Sequence, residues 1–253
     1  TYVEVFGGGA SLLLNKPRSS IEVLNDIDGD LVNLWLVARD HSRELVAKLE
    51  TLPYSRELNK RWTEDVRHGK VPRDPIERAA RYYFVLRSTF AAYFGHGWSF
   101  GLKDSHPKRF RNAINNIAKV NERLQTVYID HMDFRRCIRN WDRPTTFFFL
   151  DPPYIGVSGY KFNFTERDHA DLRWLLGKIQ GKFLLTYNDC QQVRELYKGF
   201  GSLIIRAQLA AKKTMDRPRE RMAHKIIMNY DPPVAKQPMK MFKSFEQVSL
   251  FES

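Results

Sequence analysis

Four consecutive residues, Asp151-Pro152-Pro153-Tyr154, are the ones best suited to chemistry, and they follow the apolar run 147–150 directly. A continuous apolar run is typical of a buried strand in a parallel sheet. Ligands of open α/β sheets bind beyond the carboxyl ends of such strands. Two prolines in a row form a stiff turn without amide hydrogens, so their carbonyl groups are held outward as acceptors. The segment therefore predicts a carboxylate and a fixed carbonyl at a ligand-binding edge.

The reaction that fits this turn is methyl transfer to an aromatic amine. The lone pair of such a nitrogen is delocalised into its ring, which makes it a poor nucleophile. The Asp151 carboxylate and the Pro152 carbonyl can each accept one N–H hydrogen bond, which favours a tetrahedral nitrogen and stabilises its developing positive charge. Tyr154 would stack on the target base, because chemistry on a base requires that base to leave the duplex. The alternative is a proline turn with an incidental acid.

The elements that would position this motif follow an α/β rhythm. A strand at 2–6 leads into Gly7-Gly8-Gly9 and an apolar helix at 10–14, as in nucleotide-binding units. Further strands are predicted at 21–24, 127–129, 146–150, 183–187, 202–205 and 225–228. The fold class is therefore α/β, with a Rossmann-like, mostly parallel sheet and helices on both faces.

Helical periodicity and composition divide the rest of the chain. Single helices are predicted over 31–45, 76–84 and 110–124, and a capping box at Thr165 opens another. Residues 50–110 are rich in arginine and predict a helical basic insert. The catalytic domain would then comprise 1–49 and 111–233, and 234–253 would form a flexible tail.

The charge favours an anionic partner but does not establish one. The chain has 41 Lys and Arg residues against 29 Asp and Glu, a net charge of +12, and 13% aromatic residues. An ordinary basic surface and a footprint for nucleic acid both fit these values. Cys137 and Cys190 are too few for a disulfide framework or a four-cysteine zinc site, and no metal site is predicted. We expect no membrane span and no signal peptide, and therefore a cytoplasmic protein.

Four ordered segments resemble the motifs of the Dam-like DNA adenine methyltransferases. They are the glycine segment 2–10, Asn25-Asp26-Ile27-Asp28, the Asp-Pro-Pro-Tyr turn and Met228-Asn229-Tyr230. The resemblance implies transfer of a methyl group from S-adenosylmethionine to the N6 amine of a flipped adenine in double-stranded DNA. Family members also carry a Gly-Gly-Lys segment before the glycine loop, and this sequence begins after that point.

The resemblance also implies a set of cofactor contacts. The pocket for the methionine moiety would be lined by Glu4, Phe6, Gly7 and Gly9. Asp26 would bind the ribose hydroxyls, as an acid does in dinucleotide folds. Asp133 would accept from the adenine amine, with Phe134 packed near that ring. An ordinary acid at a helix N-terminus is the alternative for Asp133.

DNA contacts are implied at two places. The segment 155–164 resembles the loop that closes on the flipped base, and Tyr160 and Lys161 lie within it. The family inserts its target-recognition elements between these motifs, which implies that residues 50–110 recognise the DNA target. Arg81, Arg87 and Lys108 are candidates for contacts with phosphates or guanines. Tyr187 and Asn188 are expected to face the same cleft as residues 151–154, the predicted catalytic turn.

Other functions use related sequences. A cytosine C5 methyltransferase needs a cysteine nucleophile at a strand end, which neither cysteine provides. Cytosine N4 methyltransferases typically have serine at the position of Asp151, and protein glutamine methyltransferases have asparagine. A DNA-binding homologue that is inactive or binds cofactor weakly is the alternative from a different class.

The segment Gln247-Val248-Ser249-Leu250-Phe251 resembles a docking motif for bacterial sliding clamps. Leu250 and Phe251 would fill an apolar pocket while Gln247 supplies an oriented hydrogen bond. A terminal apolar patch that folds back on the chain is the alternative. Clamp docking would bring a bacterial or phage enzyme to newly replicated DNA.

Overall fold

A computed structural model describes residues 1–89, 97–99, 105–157, 159–208 and 221–232. Within these residues one sheet contains β1 (Tyr2–Glu4), β2 (Glu22–Asn25), β3 (Val127–Asp130), β4 (Phe147–Leu150), β5 (Lys182–Asn188), β6 (Gly201–Gln208) and β7 (Arg221–Met228). The spatial order is β3-β2-β1-β4-β5-β7-β6. The first five strands are parallel, and β7 runs antiparallel to both β5 and β6. The predicted α/β class and mostly parallel sheet are confirmed.

The helices cover both faces of this sheet. They are α1 (Ser11–Asn15), α2 (Gly29–Asp40), α3 (Ser42–Glu50), α4 (Arg56–Arg67), α5 (Pro75–Ser88), α6 (His106–Asn115), α7 (Ile117–Leu124), α8 (Phe134–Trp141), α9 (Glu166–Leu176) and α10 (Gln191–Leu196). No helix in the described ranges is long and apolar enough to cross a membrane. The predicted capping box is present, since Thr165 and Asp168 each bond the other's backbone at the start of α9.

Two helices expected to be continuous are broken. The backbone of His41 has φ −133°, so the predicted helix over 31–45 ends at Asp40 and restarts as α3. Apolar periodicity continues across the break because Leu34 and Leu45 both enter the same core. A similar break at Asn116 separates α6 from α7. Helix α4 was not predicted, because its sequence is mostly polar. In the structure only Asn59 and Trp62 of this helix are buried.

Alternating strand residues divide the interior into two cores. Tyr2 and Leu24 join the core beneath α2, α3, α5, α6 and α7, while Val3 and Val23 join the core beneath α8 and α9. This is the period of two expected for a sheet covered on both faces. Helix α5 contributes seven apolar side chains to the first core, so part of the basic segment 50–110 packs directly against the sheet. The proposed domain boundaries remain a prediction.

A buried ion pair ties α7 and α1 to the sheet. The Arg123 guanidinium donates to both carboxylate oxygens of Glu22, at 2.5 and 2.9 Å, and to the Leu13 carbonyl at 2.6 Å. Lys16 donates to the same carboxylate. Burial alone would raise the pKa of Glu22, but the hydrogen bonds from Arg123 and Lys16 lower it to about 2.

Candidate active site

Strands β1 and β4 lie side by side in the sheet. From β1 the chain adds β2 and β3 on one side, and from β4 it adds β5 on the other, so the strand order reverses between β1 and β4. Glu4 is in register with Phe149, and the Val5 amide donates to the Phe149 carbonyl at 3.1 Å. The segments that follow these two strands therefore leave the same edge at the same height. This is the topological switch point at which open α/β sheets bind ligands.

A cavity of about 600 Å³ opens at this edge. Most of the predicted site residues line it, namely Glu4, Phe6, Gly7, Gly9, Asp26, Asp133, Phe134, Asp151, Pro153, Tyr160 and Lys161. Within the Asp-Pro-Pro-Tyr turn, Pro152 is buried and Tyr154 is half-buried. The described residues contain no group of three or more His, Cys, Asp or Glu side chains arranged to hold a metal.

The glycine loop lies tightly against the end of β2. A Cβ atom on Gly7 would stand 2.5 Å from Leu24 Cδ1 and 3.0 Å from the Asn25 carbonyl, so no larger residue fits without displacing backbone. Gly8 has φ +47°, in the left-handed region that favours glycine. The loop thus brings backbone, rather than side chains, to the cavity wall.

Asn25 lies in the segment 25–28, which was singled out only by its resemblance to a family motif, and its side chain hydrogen-bonds two other chain segments around the cavity. Its buried amide donates to the Val5 carbonyl at 2.8 Å and to the Met132 carbonyl at 3.1 Å, and its oxygen accepts from the Met132 amide at 3.0 Å. These bonds join the ends of β1 and β2 to the turn after β3. The sequence signal was an amide side chain at a strand end, where it can both donate and accept hydrogen bonds.

Two carboxylates in the cavity wall have raised pKa values. Glu4 is 1% exposed and accepts from the Tyr2 hydroxyl at 2.8 Å. Burial raises the pKa of Glu4 to about 7. Burial likewise raises the pKa of Asp26, although its carboxylate accepts from the Gly8 amide at 2.9 Å and the Asp28 amide at 2.8 Å. A cationic or hydroxylated ligand would stabilise both groups in their charged form.

An aromatic wall closes the side of the cavity next to α8. The rings of Phe6, Phe134 and Phe164 contact one another with centroids 5.0 to 5.7 Å apart. Asp133 caps α8 by accepting from the Arg135 amide at 2.8 Å, and it pairs with the Arg135 guanidinium at 3.0 Å. Asp133 therefore has the structural role named as its alternative, while it also lines the cavity.

The Asp-Pro-Pro-Tyr turn presents the Asp151 carboxylate at the cavity rim. The side chain of Asp151 is reached by solvent from the cavity, yet protein surrounds it closely enough that burial raises its pKa. The Thr186 hydroxyl donates to Asp151 Oδ1 at 2.5 Å. Strand alternation places Thr186 on this side of β5, whereas Tyr187 is fully buried and bonds His169 at 2.8 Å. The expectation that Tyr187 faces the cleft was therefore wrong, and Thr186, one residue earlier on β5, lies on that side instead.

Comparison with known proteins identifies the family of this chain. The family model described as "D12 class N6 adenine-specific DNA methyltransferase" matches residues 1–211. The chain belongs to this family. It is 25% identical over 210 residues to a type II methyltransferase of Paramecium bursaria Chlorella virus NC1A, covering 79% of this chain and 77% of that protein. It is also 25% identical over 247 residues to a type II methyltransferase of Lactococcus lactis subsp. cremoris, covering 88% and 84%.

The predicted activity, adenine-specific DNA methylation, is thereby confirmed at the level of the family. In the D12 methyltransferase, the segment 160–164 that follows the Asp-Pro-Pro-Tyr turn lines the cavity. Its Lys161 ammonium lies 2.7 Å from both Asp28 Oδ1 and Asp30 Oδ2. Arg78 and Tyr82 of α5 bond the same two carboxylates, so this segment is held against α2 and α5.

The other predicted DNA contacts lie away from the cavity. Arg81 donates to Glu77 at 2.7 Å and its guanidinium lies 5.3 Å from the Trp62 ring centroid. Arg87 lies on the last turn of α5 and is partly buried. Lys108 is exposed on the first turn of α6. The DNA contacts of the methyltransferase remain predictions, and among the three Lys108 has the most accessible charge.

Proposed function

We propose that this cavity binds S-adenosylmethionine and that Asp151 acts on the N6 amine of an adenine flipped out of duplex DNA. The observation that carries the proposal is the pairing of β1 with β4. That pairing brings the glycine loop and the catalytic carboxylate to the rim of one cavity, although about 145 residues separate them in the chain.

The polar and aromatic groups that line the cavity suit this cofactor. Glu4 offers a buried carboxylate for the α-ammonium group, and Asp26 keeps lone pairs for the ribose hydroxyls. The glycine loop brings backbone to the cavity wall, and Phe134 lies in that wall, where it would pack near the adenine ring. When bound, the cofactor supplies an electrophilic methyl group.

The protein's own groups then act on the target amine. Asp151, held by Thr186, would accept one N–H hydrogen bond, and the Pro152 carbonyl would accept the other. These acceptors stabilise the positive charge that develops on the nitrogen as its lone pair attacks the methyl group. Because its pKa is raised, Asp151 is also suited to take up the proton that the methylated amine loses. Tyr154 would hold the base by stacking.

Analysis of methylated nucleosides tests the proposal. Duplex DNA is incubated with the purified chain and S-adenosylmethionine, digested and analysed by mass spectrometry. We expect N6-methyladenine. N4-methylcytosine would reassign the base, and bound cofactor without any transfer would favour the inactive DNA-binding homologue. Sequencing of methylated positions in DNA from expressing cells gives the recognition sequence.

Cofactor affinity is expected to fall in acid. Glu4 has a pKa of about 7 in the free protein, and only its carboxylate form pairs with an ammonium group. Lowering the pH from 7.5 to 6 should therefore raise the Kd for S-adenosylmethionine roughly eightfold, as one proton must leave on binding. Calorimetry at several pH values measures this. Glu4→Gln should bind more weakly and with a flatter pH dependence; an unchanged slope in this variant would remove Glu4 from the linkage.

DNA binding is expected to weaken steeply with salt. A chain of net charge +12 that contacts phosphates releases counterions, and log Kd then changes linearly with log salt. Lys108→Ala should reduce the slope by about 0.9 if Lys108 neutralises one phosphate. Arg67→Ala, which removes an exposed arginine paired with Glu64, is a comparison of equal charge. A flat dependence in the wild type would mean that the basic surplus serves another purpose.

The sliding-clamp motif supports a second proposal. Gln247, Leu250 and Phe251 lie outside the described residues, so the proposal depends on the sequence motif alone. A peptide of residues 243–253 is expected to bind a purified bacterial clamp. Absence of binding, or equal binding after Leu250→Ala and Phe251→Ala, would reject it. A cytoplasmic, DNA-associated location in a bacterial cell is part of the same proposal.

A further inference from the structure

His224 reaches the active site from a distant part of the chain. It lies near the start of β7, where it is in register with Asn188 at the end of β5. Because β7 runs antiparallel to β5, its first residues lie at the edge of the sheet where the parallel strands end. His224 is thus adjacent to the catalytic turn, and neither the sequence motifs nor the mechanism above assign it a role.

The contact of His224 is with Tyr154. The Tyr154 hydroxyl lies 3.3 Å from His224 Nδ1, and the two rings meet edge to face with centroids 6.0 Å apart. Tyr187 packs against the same tyrosine ring with a centroid distance of 5.6 Å. The orientation of the ring predicted to stack on the base is therefore fixed by one side chain of β5 and one of β7.

The hydroxyl of Tyr154 has competing partners. The Asp151 carboxylate and the Thr186 hydroxyl lie beside it as well. A phenol has one proton to donate. If that proton went to Asp151, which already accepts from Thr186 at 2.5 Å, the carboxylate would have less capacity to accept from a substrate amine. Donation to His224 leaves that capacity for the substrate.

We infer that His224 is a positioning residue for base methylation. Its Nδ1 accepts a hydrogen bond from the Tyr154 hydroxyl. This bond holds the tyrosine ring in place for the base and keeps Asp151 available for the N6 amine. The inference depends on the proposed function of Asp151 and Tyr154. It requires the imidazole tautomer with hydrogen on Nε2 and none on Nδ1.

Single-turnover methylation of a duplex substrate tests the coupling. His224→Ala and Tyr154→Phe should each slow transfer roughly tenfold, the value of one lost hydrogen bond. The double variant should be no slower than the singles, because both remove the same interaction. His224→Asn, whose amide oxygen can occupy the Nδ1 position, should keep most of the rate. The Kd for S-adenosylmethionine should stay unchanged throughout.

The control is His41→Ala, because His41 is an exposed histidine at the far end of α2. A wild-type rate in His224→Ala, multiplied losses in the double variant, or an asparagine variant as slow as alanine would each overturn the inference.

A second measurement does not depend on activity. Long-range ¹H–¹⁵N correlation spectra of the imidazole should show an unprotonated Nδ1 in His224 whose shift changes in Tyr154→Phe. A protonated Nδ1 would overturn the inference even if no transfer occurred. Absence of transfer in the wild type with the expected spectrum would instead count against the proposed function alone.

Discussion

Replacing Asp151 by alanine is expected to slow methyl transfer by about a hundred- to a thousandfold, the range seen when one preorganised electrostatic contact is removed. The carboxylate acts where positive charge develops on the amine, so its loss affects the transition state more than the bound ground state. Cofactor affinity should change little, since Glu4, Asp26 and the glycine loop remain intact. Rapid-quench single-turnover kinetics and calorimetry measure the two quantities separately.

Two matched variants sharpen this result. Asp151→Asn keeps an oxygen acceptor at the same place and should lose less than alanine. Thr186→Val removes the hydroxyl that donates to Asp151 Oδ1 while keeping the shape of the side chain, and it should have an intermediate effect. Near-wild-type turnover in Asp151→Ala, with folding verified by circular dichroism, would show that the chemistry has been assigned to the wrong residue.

Replacing Arg123 by methionine is expected to lower the free energy of unfolding by about 3–5 kcal/mol, as when one partner of a buried ion pair is removed. Glu22 is 1% exposed, and its loss of Arg123 would leave Lys16 as its charged partner. Arg67→Met is the control, because Arg67 and Glu64 are more than half exposed and such a pair contributes at most about 1 kcal/mol. Urea denaturation of the three proteins compares these values.

The same pair predicts how stability depends on pH. The pKa of Glu22 is about 2 in the folded protein, below the value of about 4.3 for an unfolded glutamate. Its stabilisation is therefore fully present above the unfolded pKa and is lost as the pH falls towards 2. Arg123→Met should raise the folded pKa and reduce this acid-dependent loss. An equal loss of stability in both proteins between pH 4.5 and 2.5 would exclude Glu22 as its source.

Local sequence determined the features that depend on a few adjacent residues. The two prolines after an apolar run predict a rigid acceptor turn whatever surrounds it, and the structure places Asp151 and Pro153 in the wall of the cavity at the β1–β4 edge. The glycines at 7–9 predict a loop that permits close backbone approach, and Gly7 packs so tightly against Leu24 and Asn25 that a Cβ atom there would crowd them. The parallel sheet followed from the alternation of apolar strands with helices.

Tertiary structure alone decided which of these segments meet. The contact between β1 and β4 and the ion pair between Glu22 and Arg123, 101 residues apart, arise from strand order, which short-range patterns do not contain. Thr186 and His224 reach the catalytic turn from neighbouring strands, and their types are ordinary for a β-strand. The breaks at His41 and Asn116 were hidden because apolar periodicity continues through them. Function in this fold depends on side chains that converge from distant segments, and packing of the whole sheet sets that convergence.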